Sequence, residues 1–212
     1  MIFSIKPTTN SLVQKAYEEG MKELGNFWET NWVQNTPDVF IIDSRKEIDV
    51  IKGTETSNQS VGWSKNRNIY LLDYKKIESE SSYKLTPEQY VALVKHELNH
   101  SFFNIASGNA MAPLWLNEGL SIYLSGQTKL GQWERPIELR GFIDSEGENK
   151  KYAYAEGGFV VELLVNKFGK EKLIQLVKQL KTIKDGQEFK RAFAEIYGVE
   201  LDYKIINDLY LK

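Results

Sequence analysis

The last change of periodicity in this sequence sets the class of fold open to it. Between residues 38 and 74 the apolar residues come in short runs rich in β-branched and aromatic side chains. From Thr86 almost to the end they recur at helical spacing. DVFIID (38–43) and NIYLLDY (68–74) read as strands. Residues 10–35, with mixed charges and aromatics, read as an amphipathic helix. Between the strands, KGTETSNQSVGWSKN (52–66) is polar and glycine-containing, and is expected to be a turn, a mobile hairpin or a loop. Strands first and helices afterwards define an α+β chain, with a small strand-containing N-terminal lobe over about 1–84 and a helical C-terminal lobe over about 85–212. At 212 residues it is long enough to bury a real core as one domain.

The helical half opens on Thr86-Pro87-Glu88-Gln89, with threonine as N-cap, proline at the first helical position and Gln89 completing a capping box. A second helical run begins at Pro113, and a third covers about 153–168 and stops at Gly169. Two more follow near 171–182 and 187–197, then a short terminal one.

The chain has two histidines, His96 and His100, both inside HELNH (96–100) on the helix that Thr86 opens. At about 100° per residue from His96, His100 falls near 40° and Glu97 near 100°, while Val91, Val94, Leu98, Phe102 and Ile105 fall between about 160° and 240°. Leu93 and Phe103 lie on the histidine side, so the helix is expected to be covered on both faces and its polar residues to line a cleft. Imidazoles four apart on a helix project side by side, close enough to share one ion. Glu97 stands beside them without pointing at the same place, which suits a base that takes a proton from water. A charged helix with two surface histidines is the bland alternative. Two histidines among 212 positions fall four apart by chance with odds on the order of 1 in 100, before the glutamate is required.

Cysteine is absent, so disulfides and thiolate ligands are excluded, and a transition-metal site must use imidazole and carboxylate. A catalytic zinc needs a third protein ligand and one open position. Glu118 is the candidate. It sits in PLWLNEGLSIYL (113–124), a largely apolar segment in which a buried carboxylate would cost several kcal/mol unless a cation met it. Gly119 costs the helix about 1 kcal/mol against alanine and signals a close approach at that point. Ser121, one turn further on, is placed to support a ligand.

HELNH followed by WLNEG resembles the gluzincin metallopeptidases, most closely the catalytic domain of the membrane alanyl aminopeptidase family and its smaller peptidase-MA-like relatives. The resemblance implies a thermolysin-like fold and one zinc ion, with His96, His100 and Glu118 as ligands, Glu97 as general base and a peptide or protein as substrate. Residues 101 to 117 separate the second histidine from Glu118, one residue fewer than that family usually has. The family also carries a tyrosine in a Y-x-x-G pattern whose hydroxyl stabilises the oxyanion, and Tyr154-Ala155-Glu156-Gly157 matches it. Tyr152 is nearby, but residues two apart on a helix face opposite ways, so at most one of the pair can serve. The G-x-M-E-N motif with which the family's aminopeptidases grip an amino terminus has no counterpart before residue 96; GNAMA (108–112) follows the zinc helix and lacks the glutamate. NIYLL (68–72), the last run of strand character before that helix, is the candidate edge strand for binding a peptide backbone.

The composition also bounds the partners. Lys plus Arg is 27 and Asp plus Glu is 29, a formal net charge of −2, with no basic patch to suggest nucleic acid. FVVELLV (159–165) is the longest apolar stretch, interrupted by Glu162 and far below spanning length, so no membrane segment is expected. MIFSIKPTTNSLVQ has no extended apolar run, so a cytoplasmic chain is expected. Two readings compete with a peptidase: a non-catalytic zinc-stabilised module that binds a peptide or protein, and a hydrolase of a non-peptide amide. Endo- or exo-mode and oligomeric state stay open.

Overall fold

The computed structural model of the chain describes residues 6–144 and 149–211. Among these residues the main elements, in order, are α1 (Ser11–Trp28), β1 (Val39–Ile42), α2 (Arg45–Lys52), β2 (Gly62–Lys65), β3 (Asn68–Leu72), the short α3 (Ile77–Glu80), α4 (Pro87–Ser107), α5 (Leu114–Ser125), α6 (Lys150–Phe168), α7 (Lys170–Gln179), α8 (Gly186–Tyr197) and α9 (Tyr203–Tyr210). The class is α+β, dominated by helix, with one small sheet.

Helix α4 is the axis of the structure. Thr86 accepts from the amide of Gln89, and the Gln89 side chain returns a bond to the Thr86 amide, closing the capping box; Gly108 ends the helix in a left-handed conformation. Its faces are covered on both sides, as its sequence predicts. Val94, Leu98 and Phe102 are fully buried on one side and Leu93 and Phe103 on the other. Ile105 is the exception, 42% exposed near the C-terminal end, beyond the reach of the covering elements. Helix α1 packs against α4 so closely that a Cβ on Gly20 would sit 2.9 Å from Leu98 Cδ1.

Helix α1 is shorter than its sequence pattern. It ends at Trp28, where Glu29 turns left-handed (φ 54°). Trp32 extends the apolar periodicity because it is packed edge-on against Phe102, 5.2 Å between ring centroids, but from an irregular segment. Helix α2 carries end signals that its short length makes easy to overlook: Ser44 caps Glu47, whose carboxylate accepts from the Asp43 amide, and Gly53 closes the other end.

The sheet has the order β1-β3-β2, with β1 parallel and β2 antiparallel to β3. Strand β2 lies within the segment expected to be a turn, hairpin or loop. It is joined to β3 by Asn66 and Arg67, both at positive φ (53° and 69°), the conformation of a two-residue type I′ turn. NIYLL is therefore the central strand, not an edge. It reads as the last strand before α4 in sequence, but β2 inserts alongside it through a turn whose asparagine and arginine carry little of the usual glycine signal. The edges are β1 and β2, and β2 is the one beside α4. Its Gly62 lies over α4, where an added Cβ would meet Glu97 Oε1 at 3.1 Å and Leu93 Cδ1 at 3.3 Å.

Helices α5 and α6 meet backbone to backbone. A Cβ built on Gly119 falls 2.5 Å from both the carbonyl carbon and oxygen of Gly157, and one on Gly157 falls 2.7 Å from the Trp115 carbonyl oxygen. The close approach signalled by Gly119 is thus that of α6. The loop between the two helices is held at its base by the buried carboxylate of Glu156, which accepts from the amides of Arg140, Gly141 and Phe142 at 3.0–3.1 Å. Asn207 and Tyr203 of α9 bond the same loop at Leu139 and Ile143.

Gly119→Ala is expected to lower stability to urea by about 1–3 kcal/mol, because a backbone cannot move aside as a side chain can. An alanine that stabilises, as its higher helix propensity alone would dictate, would contradict this packing.

Candidate metal centre

His96 and His100 arrive from α4, Glu118 from the first turns of α5. One nitrogen of each imidazole and one carboxylate oxygen of Glu118 all lie within 4.8 Å of one another. His96 Nε2 is 3.3 Å from Glu118 Oε2, and His100 Nε2 is 3.8 Å from the same oxygen. The rings stand nearly perpendicular (81°) with centroids 4.9 Å apart. Ligands about 2.1 Å from a tetrahedral zinc are separated by about 3.4 Å, so this donor set fits a zinc-sized cation with little movement.

The far sides of both imidazoles are occupied by polar side chains. His96 Nδ1 bonds Gln127 Oε1 at 2.9 Å, and Gln127 Oε1 also accepts from Ser125 Oγ at 3.2 Å. His100 Nδ1 bonds Asn117 Oδ1 at 3.0 Å and lies 3.3 Å from Ser121 Oγ. An Nδ1–H donated to these oxygens leaves each Nε2 lone pair directed at Glu118, the arrangement that prepares an imidazole to ligate. Ser121 was within reach of sequence reasoning as a residue one turn past Glu118. Asn117 adjoins that glutamate in WLNEG, whereas Gln127 lies beyond the helix and carries no local signal.

Glu97 is buried, 5% exposed, beside this group but outside it. Its carboxyl is pushed up by loss of hydration, opposed by the positive potential of His96 and His100 and joined by the charge of Glu118. Burial acts to lower the His96 value, but the Glu118 hydrogen bond and the charges of Glu97 and Glu118 outweigh it, and the imidazole is raised. Burial likewise opposes ionisation of Glu118, yet its hydrogen bond to His96 and the nearby imidazoles hold its carboxyl below the ordinary range.

Tyr154, on α6, lies against Glu118, and burial followed by that carboxylate's charge raises its phenol well above the ordinary value. The Gly119–Gly157 crossing puts it there, since Tyr154 precedes Gly157 by one turn. Tyr152 points elsewhere: its ring fills the space above Gly141. The ring of Trp133 stacks near Tyr154 (6.4 Å, 23°).

His96, Glu97, His100, Glu118 and Tyr154 line a cleft of about 1170 Å³ between the β2 side (Val61, Gly62, Trp63, Ser64), the approach to α4 (Tyr83, Leu85), and the α5–α6 loop (Gln127, Trp133). Among the described residues no helix is long and apolar enough to cross a membrane. No family model matches the chain, and neither a curated protein nor a solved structure resembles it significantly.

The shifts set a pH dependence for the chelator-treated protein. The raised His96 stabilises fully below the ordinary imidazole value of 6.5, and that contribution is lost as pH rises through the raised one. Glu97, also raised, adds a cost as pH climbs and its buried carboxyl ionises. Glu118 acts oppositely, stabilising above 4.5 and losing this as pH falls through its lowered value. The thermal midpoint is therefore expected to be highest in the mildly acidic window between these limits and to fall toward pH of about 8.5, with excess zinc reversing the alkaline fall. A chelated midpoint that rises steadily to alkaline pH would refute this electrostatic reading.

Proposed function

We propose that this chain is a zinc-dependent peptidase with a thermolysin-like two-lobe catalytic domain, the ligands being His96, His100 and Glu118. The observation that carries the reading is the convergence of Glu118, from a separate helix, on both Nε2 atoms while buried Glu97 stays beside the group rather than in it. A structural zinc site closes its fourth position and has no use for a desolvated carboxylate next to it.

Zinc at these ligands supplies Lewis acidity toward water and the scissile carbonyl. Glu97 takes the proton of the attacking water, whose oxygen bonds the carbonyl carbon, and delivers that proton to the amine as the C–N bond breaks. Its raised value brings it toward the range in which a carboxyl both accepts and returns a proton near neutrality. Tyr154, kept protonated by its raised value, donates its phenolic hydrogen bond to the oxygen on which charge develops.

Strand β2 supports a peptide as the substrate. Leu72 N bonds Val61 O across the hairpin at 2.9 Å, and the register pairs Trp63 with Tyr70. By the alternation of an antiparallel ladder, Gly62 and Ser64 then turn their N–H and C=O toward the open edge, along the cleft. An extended peptide pairs with those groups, as strand addition requires. A non-peptide amide would use neither.

Purified protein is expected to carry near-stoichiometric zinc, lost on His96→Ala or Glu118→Ala; retention in both variants would remove the ligand assignment. Glu97→Gln is expected to keep the metal and lower kcat on quenched peptides by about 10²–10⁴-fold, and Tyr154→Phe by about 10²–10³-fold with zinc unchanged. A metal-loaded protein that cleaves no member of a library with free and blocked amino ends would favour a non-catalytic module or a different amide.

A further inference from the structure

The floor of the cleft is a single stripe of α4. Gln89, Leu93, His96, Glu97, His100 and Asn104 all line it. At about 100° per residue these six fall within about 100° of one another around the helix. A stripe that narrow runs along the helix axis, so the groove follows α4. From Gln89 to Asn104 the floor is about 22 Å long, at about 1.5 Å of rise per residue.

The reacting group stands at neither end of this floor. About 10 Å of it lies beyond His96 toward Gln89, and about 6 Å beyond His100 toward Asn104. An extended chain advances about 3.3 Å per residue, so the floor accommodates about six or seven residues, with about three on one side of the imidazoles and about two on the other. The facing wall is arranged in the same way. Gly62 lies level with Glu97, where an added Cβ would meet Oε1 at 3.1 Å, and the wall continues from it in both directions, to Ser60 before it and Ser64 after it.

A chain end brought beside the imidazoles would carry an ammonium or a carboxylate out of water, which costs heavily without an opposite charge. Among the described residues the carboxylates lining the cleft are Glu97 and Glu118, the base and a ligand of the proposed site. The two lining lysines have other partners. Lys84 Nζ is 2.5 Å from Glu78 Oε1, and Lys151 Nζ stands 5.2 Å from the centre of the Tyr152 ring.

We infer that the groove takes an internal stretch of about six or seven extended residues and that the bond cut lies within it, away from both chain ends. The inference rests on the peptidase reading and names its mode, endopeptidase rather than exopeptidase.

The test is a series of peptides of about two to nine residues, blocked at both ends, with the cut located by mass spectrometry. For the zinc-loaded protein kcat/KM is expected to climb by about 10²-fold from three residues to about seven and then level off, with kcat sharing in the rise because remote contacts count in the transition state. Freeing either end should change it by less than about twofold. Asn104→Trp, which fills one end of the floor, should abolish the gain from residues added on one side of the scissile bond and keep the gain on the other. Cuts confined to the first or last bond, a gain of about tenfold on freeing one end, or a full rate already on tripeptides would each overturn the inference. Cleavage of no peptide would instead defeat the peptidase reading, and the cleavage mode with it. The affinity of zinc-loaded Glu97→Gln protein for the same blocked peptides then decides the groove: tightening up to about seven residues upholds it, and indifference to length removes it.

Discussion

Three hydrogen-bond acceptors brought to one point repel each other until something positive comes between them. When each ring carries its proton on Nδ1, two imidazole Nε2 lone pairs and a carboxylate oxygen meet in this way where α4 and α5 approach, with the rear of each ring engaged by another side chain. A proton can satisfy the group by bridging His96 and Glu118, and a divalent ion can satisfy all three members together. Much of the architecture serves to hold these acceptors close against their mutual repulsion. Burial on both faces of α4 fixes the imidazoles, and the polar contacts behind them remove the ring rotation by which they could escape.

The same constraint explains why two buried carboxylates behave differently. The imidazoles of His96 and His100 hold the Glu118 carboxyl below the ordinary range, whereas burial raises Glu97, one residue from a histidine and beside Gly62 of β2, despite the same two imidazoles. Their environments push the two groups in opposite directions, which on the reading proposed above is how one site would obtain both an anionic anchor and a proton acceptor.

What the sequence discloses depends on how local each physical cause is. The capping box at Thr86, the sidedness of α4 and the i, i+4 imidazoles are all set within a turn or two of helix, and each is visible in the string. Glu118 is visible for another reason, since a carboxylate in an apolar run strains against ordinary composition, and Tyr154 is visible only through the Y-x-x-G pattern of the family the motifs resemble. The sheet order is not local. NIYLL carries the strongest strand character, and strand character measures burial, so the most recognisable strand turns out to be the central one. The edge that lines the cleft is spelled VGWS, which is too polar and too short to stand out. Gln127 falls in a third group, in which only the three-dimensional meeting of donor with acceptor gives the residue a role. Helix α1 ends at Trp28, where side-chain periodicity outlasts backbone regularity, and α6 begins at Lys150, ahead of the periodicity that marks it.

The glycine crossing of α5 and α6 has a consequence in time as well as in space. His96, His100 and Glu118 lie within 23 residues of one another in sequence, 96 to 118, while Tyr154 comes later and reaches Glu118 only once α6 has docked. A chain emerging from the ribosome would thus present His96, His100 and Glu118 before the phenol arrives. Hydrolytic competence, on the reading proposed above, would be withheld from the nascent polypeptide until its second half had folded, sparing unfinished copies from one another.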